Sequence, residues 1–109
     1  MSILKNIDIA SVLPLAELVS YQDGQIVSRT LVQNKAVSIT LFAFEAGEEI
    51  STHASGGDAM VYVLDGSGVI TIDEKSYTPK AGECIVMPAG HPHAVAAAER
   101  FKMLLVVVF

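Results

Sequence analysis

Histidine is the residue type in this chain that most directly suggests chemistry, and its three copies are His53, His91 and His93. An imidazole can donate or accept a proton near neutral pH, and its unprotonated nitrogen binds transition metals. His93 follows a short apolar run, residues 84–87, and a turn rich in proline and glycine. Gly82 and Pro88 are residue types that begin and end strands at tight turns. The stretch 82–93 therefore predicts a strand that ends with an imidazole at the mouth of whatever the strands enclose.

Each histidine also has a plainer interpretation, as a neutral, hydrogen-bonded residue of the core. His91 is two positions before His93, but Pro92 fixes the backbone between them. His91 nevertheless remains an alternative ligand for a metal ion that it would share with His93. Asp58 follows two glycines, so the direction of its carboxylate is open. Glu49 shares the face of His53 by alternation, yet four extended residues place it about 13 Å away.

The single cysteine and the acidic composition limit the classes of function. Cys84 cannot form an intrachain disulfide, which favours a reducing, cytoplasmic setting. Its apolar neighbours supply no charge to lower its pKa, so we expect a buried thiol and not a nucleophile. A net charge of −5 argues against nucleic acid or an anionic membrane as a partner. We expect neither a signal peptide nor a membrane-spanning segment, because the N-terminal residues lack a long apolar core and the apolar tail is too short to cross a bilayer.

Length and hydropathy predict one domain that self-associates. The 109 residues suffice for a single core, and 51% of them are hydrophobic, with a mean hydropathy of +0.48. A domain this small cannot hide that much apolar surface from water. We therefore expect residues 1–109 to form one domain, and two copies of this domain to form a homodimer. The final strand and the N-terminal strands are expected at the contact.

The elements that must position the histidines are short apolar runs separated by turn residues, which is typical of an all-β sandwich or closed barrel. We expect at most one short helix, near the N-terminus. We also expect a hairpin around residues 73–75 with a turn longer than two residues, because it lacks Asn-Gly or Asp-Gly. The predicted strands are residues 15–21, 26–32, 36–44, 50–55, 59–64, 69–72, 76–78, 84–87, 94–98 and 101–109.

Two motifs resemble those of the cupin family. Gly82, five residues, Pro88, one residue, Gly90, two residues and His93 match the second cupin motif. Gly47, five residues and His53, followed later by Gly66, are similar to the first motif. The resemblance implies a jelly-roll barrel of two antiparallel sheets, the cupin-like double-stranded β-helix, with its core barrel at about residues 15–109. It is strongest for small stand-alone cupins of the "cupin 2, conserved barrel" type.

The resemblance also implies which residues form the site, and where this chain departs from the pattern. Metal-binding cupins use two histidines one residue apart, a glutamate and the histidine of the second motif. Here His53 and His93 match, Ser55 takes the place of the second histidine, and Ala59 takes that of the glutamate. Two imidazoles alone make a weak site for a divalent transition metal such as zinc, nickel, iron or manganese.

Two classes of function follow from this chemistry. The first is a module that binds a small organic or acidic molecule through His53, His93, Ser55 and Tyr62, with or without a loosely held metal. The second is an enzyme, either a metal-dependent dioxygenase or isomerase, or a metal-free epimerase-like protein with a histidine base. The metal-free version needs a nearby acid such as Asp58 or Tyr62. A purely structural dimer is a third alternative.

Overall fold

The computed structural model describes residues 2–109, and β-strands form nearly all of the regular structure. A single turn of 3-10 helix, Leu15–Leu18, is the only helical element in this part of the chain, which confirms the expected all-β class. No helix within residues 2–109 has the length and hydropathy needed to cross a membrane. The strands are β1 Ile26–Gln33, β2 Val37–Phe44, β3 Glu49–His53, β4 Asp58–Asp65, β5 Val69–Ile72, β6 Lys75–Tyr77, β7 Cys84–Met87, β8 His93–Ala96 and β9 Phe101–Val108.

The strands form two antiparallel sheets that pack face to face, as the double-stranded β-helix requires. One sheet has the order β1-β2-β9-β4-β7, and the other has the order β3-β8-β5-β6. Strands that are neighbours in space are mostly distant in sequence, so the chain crosses repeatedly between the sheets. The alternation along β4 is regular: Ala59, Val61 and Val63 are buried, whereas Met60 and Tyr62 are exposed. Such alternation is typical of strands with one face on a core.

The core between the sheets is centred on two stacked aromatic rings. The rings of Phe44 and Phe101 have centroids 4.7 Å apart, and both residues are fully buried. Gly68 lies against the Phe101 ring so closely that a Cβ at residue 68 would be 2.6 Å from it. The absence of a side chain at Gly68 therefore allows the Phe101 ring to fill this end of the core.

A second cluster lies on the outer face of the five-stranded sheet, where the N-terminal segment covers it. Residues 15–21 were expected to form a strand, which is wrong. Leu15 and Leu18, from the helical turn, and Val19 pack against Leu31 and Leu41 of the sheet. The segment is further held by Tyr21, whose hydroxyl donates to Asp65. Tertiary packing on a preformed apolar face thus overrides the local strand propensity.

The β5–β6 hairpin and the cysteine also differ from expectation. Ile72 pairs directly with Lys75, so the hairpin turn has only two residues, Asp73 and Glu74. Both of these residues have a positive φ, of 49° and 70°. Positive φ at both central residues is the backbone of a type I′ turn, which matches the twist of the flanking strands. Cys84, expected to be buried, is exposed on the outer face of β7.

Candidate functional site

A largely apolar cavity of about 360 Å³ lies between the two sheets, and His53 and His93 are its ionisable lining residues. Phe42 and Leu105 contribute from one sheet, and Ile50 from the other. Pockets of this kind, mostly apolar with a few converging polar groups, are typical of small-molecule sites. The lining residues are Phe42, Ile50, His53, Ala54, Ser55, Ala59, Met87, His93, Val95, Met103, Leu105 and Val107.

The two histidines come from directly paired positions of neighbouring strands. His53, at the end of β3, lies opposite His93, at the start of β8. Their Nε2 atoms are 3.1 Å apart, and their ring centroids are 4.3 Å apart. His93 is buried, whereas His53 is exposed at the mouth. The two side chains therefore extend from the buried interior of the cavity to its solvent-exposed mouth.

A β-bulge aims His53 into the cavity. The register of β3 on β8 shifts between Ile50 and His53, where three steps along β3 match two along β8. A bulge inserts one residue and so changes which side chains share a face. Ile50 and His53 thus both line the cavity, although simple alternation would place them on opposite faces. The expectation that Glu49 shares the face of His53 was therefore wrong.

The hydrogen bonds define how the neutral pair carries its protons. His53 Nδ1 lies 2.9 Å from the carbonyl oxygen of Ser51, which can only accept, so Nδ1 carries the proton and Nε2 has a lone pair. His93 Nε2 then donates to that lone pair. In this arrangement His93 Nδ1 is an acceptor, and it is buried without a hydrogen-bond partner among residues 2–109.

Burial lowers the pKa of His93, and repulsion from His53 lowers it further. The backbone carbonyl of His91 opposes this shift, although it does not complete a hydrogen bond with Nδ1. His93 is thus kept neutral at pH values where an exposed histidine would begin to take up a proton. Desolvation thus penalises the charged form of the buried histidine.

This shift makes the stability of the fold depend on pH. His93 binds a proton more weakly in the folded than in the unfolded chain, so its contribution is complete above the unfolded pKa of about 6.5 and is lost as pH falls towards the folded pKa. We expect the free energy of unfolding in urea to fall between pH 7.5 and pH 5.5, and to fall less in a His93→Gln variant. Equal pH dependence in the wild type and His93→Gln would contradict this assignment.

The donor set does not fit a resident catalytic metal ion. Transition metals in such sites take three or four protein ligands, and a second partner usually fixes each imidazole. Only His53 has that partner, the Ser51 carbonyl. Ala59 has no donor, and the Ser55 hydroxyl already accepts from the amide of Gly57 at 3.2 Å. Within residues 2–109, no group of three or more His, Cys, Asp or Glu side chains is placed to hold a metal.

The other residues considered from the sequence lie outside the cavity. His91 Nδ1 is 2.5 Å from a carboxylate oxygen of Asp73, in an exposed pair at the turn. Asp58 accepts a hydrogen bond of 2.9 Å from the amide of Ala89, so it anchors the turn before His91. Tyr62 was expected to bind ligand, but it lies on the opposite face of β4 from Ala59 and does not line the cavity. Strand alternation was sufficient to place it there.

Two other depressions are less suited to a ligand. The larger, about 500 Å³, lies beside the N-terminal segment and is lined by Asn6, Ile7, Asp8, Leu13, Leu18 and Arg29. It is more open than the cavity between the sheets, and most of its surface is polar. The smaller, about 240 Å³, includes the exposed hairpin residues Asp73 and Glu74. Neither combines an enclosed apolar lining with converging polar atoms, so the cavity that contains His53 and His93 is the candidate site.

Comparison with protein families agrees with this geometry. The cupin domain family matches residues 40–109, more than half of the chain and the part that contains both histidines. The chain belongs to the cupin family. A comparison of this cupin with curated proteins gave no match.

Solved structures similar to this cupin include a protein of unknown function, a cupin superfamily protein and, at low identity, a dioxygenase. A conserved protein of unknown function from Streptococcus pyogenes is 51% identical, with a TM-score of 0.97, and the match covers 99% of this chain and 95% of that one. A cupin superfamily protein from Desulfitobacterium hafniense is 36% identical, with a TM-score of 0.92 and 97% coverage of both chains. Salicylate 1,2-dioxygenase from Pseudoaminobacter salicylatoxidans is 17% identical over 76% of this chain and 26% of its own, with a TM-score of 0.70, and shares the fold alone.

Proposed function

We propose that this cupin is a binding module for a small organic molecule that occupies the cavity between the sheets. The observation that supports it is the combination of an apolar cavity of about 360 Å³ with two imidazole Nε2 atoms 3.1 Å apart at one end. This volume is at the lower end of the range for small-molecule sites, which is about 300–1,000 Å³. The ligand is therefore small, comparable to a single ring or a short chain.

The chemistry of the lining indicates an amphipathic ligand. Phe42, Met103 and Leu105 offer only apolar contact to the body of the molecule. The histidine pair can offer one N–H to an oxygen of the ligand when that oxygen replaces the bond between the two rings. The Ser55 hydroxyl accepts from Gly57 and still has its own hydrogen to donate. An apolar body with one carboxylate or carbonyl group matches these donors.

A divalent metal has at most an accessory part in this proposal. His53 is already oriented as a ligand by the Ser51 carbonyl, and His93 lies beside it. A bound ion would supply a positive charge for an acidic ligand at the mouth. Because the protein provides only two imidazoles, we propose that such an ion is held weakly, with water or the ligand completing its coordination.

Catalysis by a histidine base is the alternative, and one observation favours it: His53 Nε2 is unprotonated at the mouth of the cavity, where a substrate could displace the hydrogen bond that it accepts from His93. A base needs a complementary acid close to the substrate. Asp58 is bonded to the Ala89 amide outside the cavity, and Tyr62 is on the other face of the sheet. The missing acid makes binding without chemistry the better-supported function.

Thermal unfolding with benzoate and benzamide tests the binding proposal, because the two probes have nearly the same shape and differ in charge. A ligand at ten times its Kd adds about 1.4 kcal/mol, and each kcal/mol raises the Tm of a 100-residue domain by about 4–8 °C. We expect benzoate to raise the Tm of the wild type by about 5 °C or more at that concentration. Benzamide should raise it less, since its neutral amide oxygen accepts a weaker hydrogen bond from the imidazole N–H than a carboxylate oxygen does.

Variants identify where the probe binds. His53→Ala and His93→Ala should each reduce the benzoate shift, whereas His91→Ala, which removes a histidine outside the cavity, should retain it. Zinc in place of benzoate should give only a small shift that depends on the same two residues. Native mass spectrometry of protein purified without an affinity tag provides an independent observation of a retained molecule. If neither probe raises the wild-type Tm and no molecule is retained, the binding proposal is wrong.

A further inference from the structure

The depression of about 500 Å³ beside the N-terminal segment has a lining of a different kind from that of the histidine cavity. Arg29 lines it from β1, and the N-terminal segment provides every other lining residue. Two hydrogen bonds fix this segment to the edge of the sheet on either side of Arg29. The amide of Lys5 donates to the carbonyl of Leu31 at 2.7 Å. The side-chain amide of Asn6 donates to the carbonyl of Thr30 at 2.8 Å. We call this space the N-terminal depression; it shares no lining residue with the cavity between the sheets.

Arg29 is a half-buried cation without a partner. It pairs with Leu41 across β1 and β2, so it lies on the outer sheet face that carries the second apolar cluster. It forms no ion pair with any residue of 2–109, whereas the other arginine, Arg100, donates two hydrogen bonds to Glu45. An arginine that is partly removed from water is usually paired with an acceptor. The guanidinium N–H donors of Arg29 are therefore available to a molecule that enters the depression.

The N-terminal segment supplies acceptors to the same space. The carboxylate of Asp8 lines the depression but is not paired with Arg29. The nitrogen of the Asn6 side chain is bonded to Thr30, which leaves its Oδ1 as an acceptor. A simple anion would be repelled by Asp8, and a simple cation would be repelled by Arg29. A molecule that carries both charges meets an opposite charge at each end.

The remaining lining of the N-terminal depression is apolar, from Ile7, Leu13 and Leu18. The backbone beside it is held in an unfavourable conformation, since Asn6 and Ala10 have φ values of 60° and 56°. Such conformations persist where the surrounding structure imposes them, and they are frequent at ligand sites. The segment therefore has a defined shape, with charged groups and an apolar surface in one space.

We propose that the N-terminal depression is a second binding site, for a free α-amino acid with an apolar side chain. The guanidinium of Arg29 donates to the carboxylate of the ligand, and the ammonium group of the ligand donates to Asp8 and to Oδ1 of Asn6. Its side chain contacts the two leucines. The volume lies within the range for small-molecule sites, about 300–1,000 Å³. Because the charges are partly exposed, we expect a Kd on the order of 1 mM.

L-leucine and two analogues that each lack one charge test this site in isotope-labelled wild-type protein. Isocaproate lacks the ammonium group, and isoamylamine lacks the carboxylate. Two-dimensional amide NMR follows the signals of residues 6–8 and 29. We expect leucine to move these signals saturably, and each analogue to bind there about 10-fold more weakly or worse, because it leaves one charged group of the protein without its partner. Equal binding of leucine and either analogue at these residues would overturn the zwitterion assignment.

Three substitutions locate the charges. Arg29→Gln should weaken leucine binding by about 10-fold or more. Asp8→Asn, at an exposed position that the fold does not depend on, should weaken it several-fold. Asp23→Asn is the matched control, because Asp23 is an exposed carboxylate in the turn before β1, outside the depression, and it should retain wild-type binding.

The second site can fail independently of the histidine cavity. The Tm shift with benzoate should be the same in Asp8→Asn as in the wild type, because the two sites share no residue. If leucine at about 50 mM, far above a Kd on the order of 1 mM, leaves the signals of residues 6–8 and 29 in place, the proposal is wrong. Leucine binding that is unchanged in both Arg29→Gln and Asp8→Asn would also overturn it.

Discussion

Replacing Phe101 by Ala should lower the free energy of unfolding by about 3–5 kcal/mol. The ring is fully buried, stacks on Phe44 at 4.7 Å between centroids, and fills the space beside Gly68. Its removal loses the burial of the ring and leaves a cavity that the rigid sheets cannot close. Since small domains have a total free energy of unfolding of about 5–15 kcal/mol, this single substitution removes a large part of it.

Urea unfolding followed by far-UV circular dichroism measures this loss. Phe109→Ala is the matched control, because it removes the same side chain from the end of the chain, where Phe109 is 57% exposed. We expect the control to change stability by less than about 1 kcal/mol. Similar losses in the two variants would show that the stacked pair of Phe44 and Phe101 is not the centre of the core.

Replacing Gly66 by Ala should lower the free energy of unfolding by about 2–5 kcal/mol, from two separate costs. The first is conformational: Gly66 has a φ of +69°, in the left-handed region that L-residues adopt unfavourably. The second is steric: a Cβ at residue 66 would be 2.5 Å from the carbonyl oxygen of Arg100. The turn after β4 therefore approaches the beginning of β9 as closely as only glycine permits.

Gly24→Ala separates these two costs. Gly24 has nearly the same φ, +66°, and a Cβ there would have no neighbour within 4 Å. It should show only the conformational cost, about 1–2 kcal/mol. The difference between the variants, measured by urea unfolding under the same conditions, is the cost of the close approach to Arg100. Equal losses at the two positions would contradict the steric part of the argument.

Most of the strands were predictable from local signals, whereas the histidine pair was predictable from the resemblance to the cupin motifs. Alternating or continuous apolar runs between turn residues gave the strands, and glycine and proline spacing around His93 indicated which turn presents it. The resemblance to the cupin motifs then associated His53 with His93, and the structure places their Nε2 atoms 3.1 Å apart. The resemblance to the family motifs, and no local signal, brought these two residues together, since they are 40 positions apart.

The rest of the site depends on features that the sequence does not show. β9 is apolar on both faces, so periodicity could not tell that Met103, Leu105 and Val107 face the cavity whereas Leu104 faces outward. The bulge in β3 changes the face of His53 by inserting one residue, which no residue type in that strand indicates. Tyr62 was the avoidable error, because regular alternation along β4 already placed it on the outer side.

The position of β3 has a kinetic consequence for whatever occupies the cavity. β3 is at the edge of its sheet, pairs with β8 alone, and has four exposed residues among its five. Local opening requires the least free energy where few buried contacts are lost, so β3 separates from the barrel more readily than the strands of the core. Because β3 carries His53, each such separation also removes one wall of the cavity mouth. We therefore expect the detachment of one short edge strand to shorten the residence time of a bound molecule, while the barrel around it stays folded.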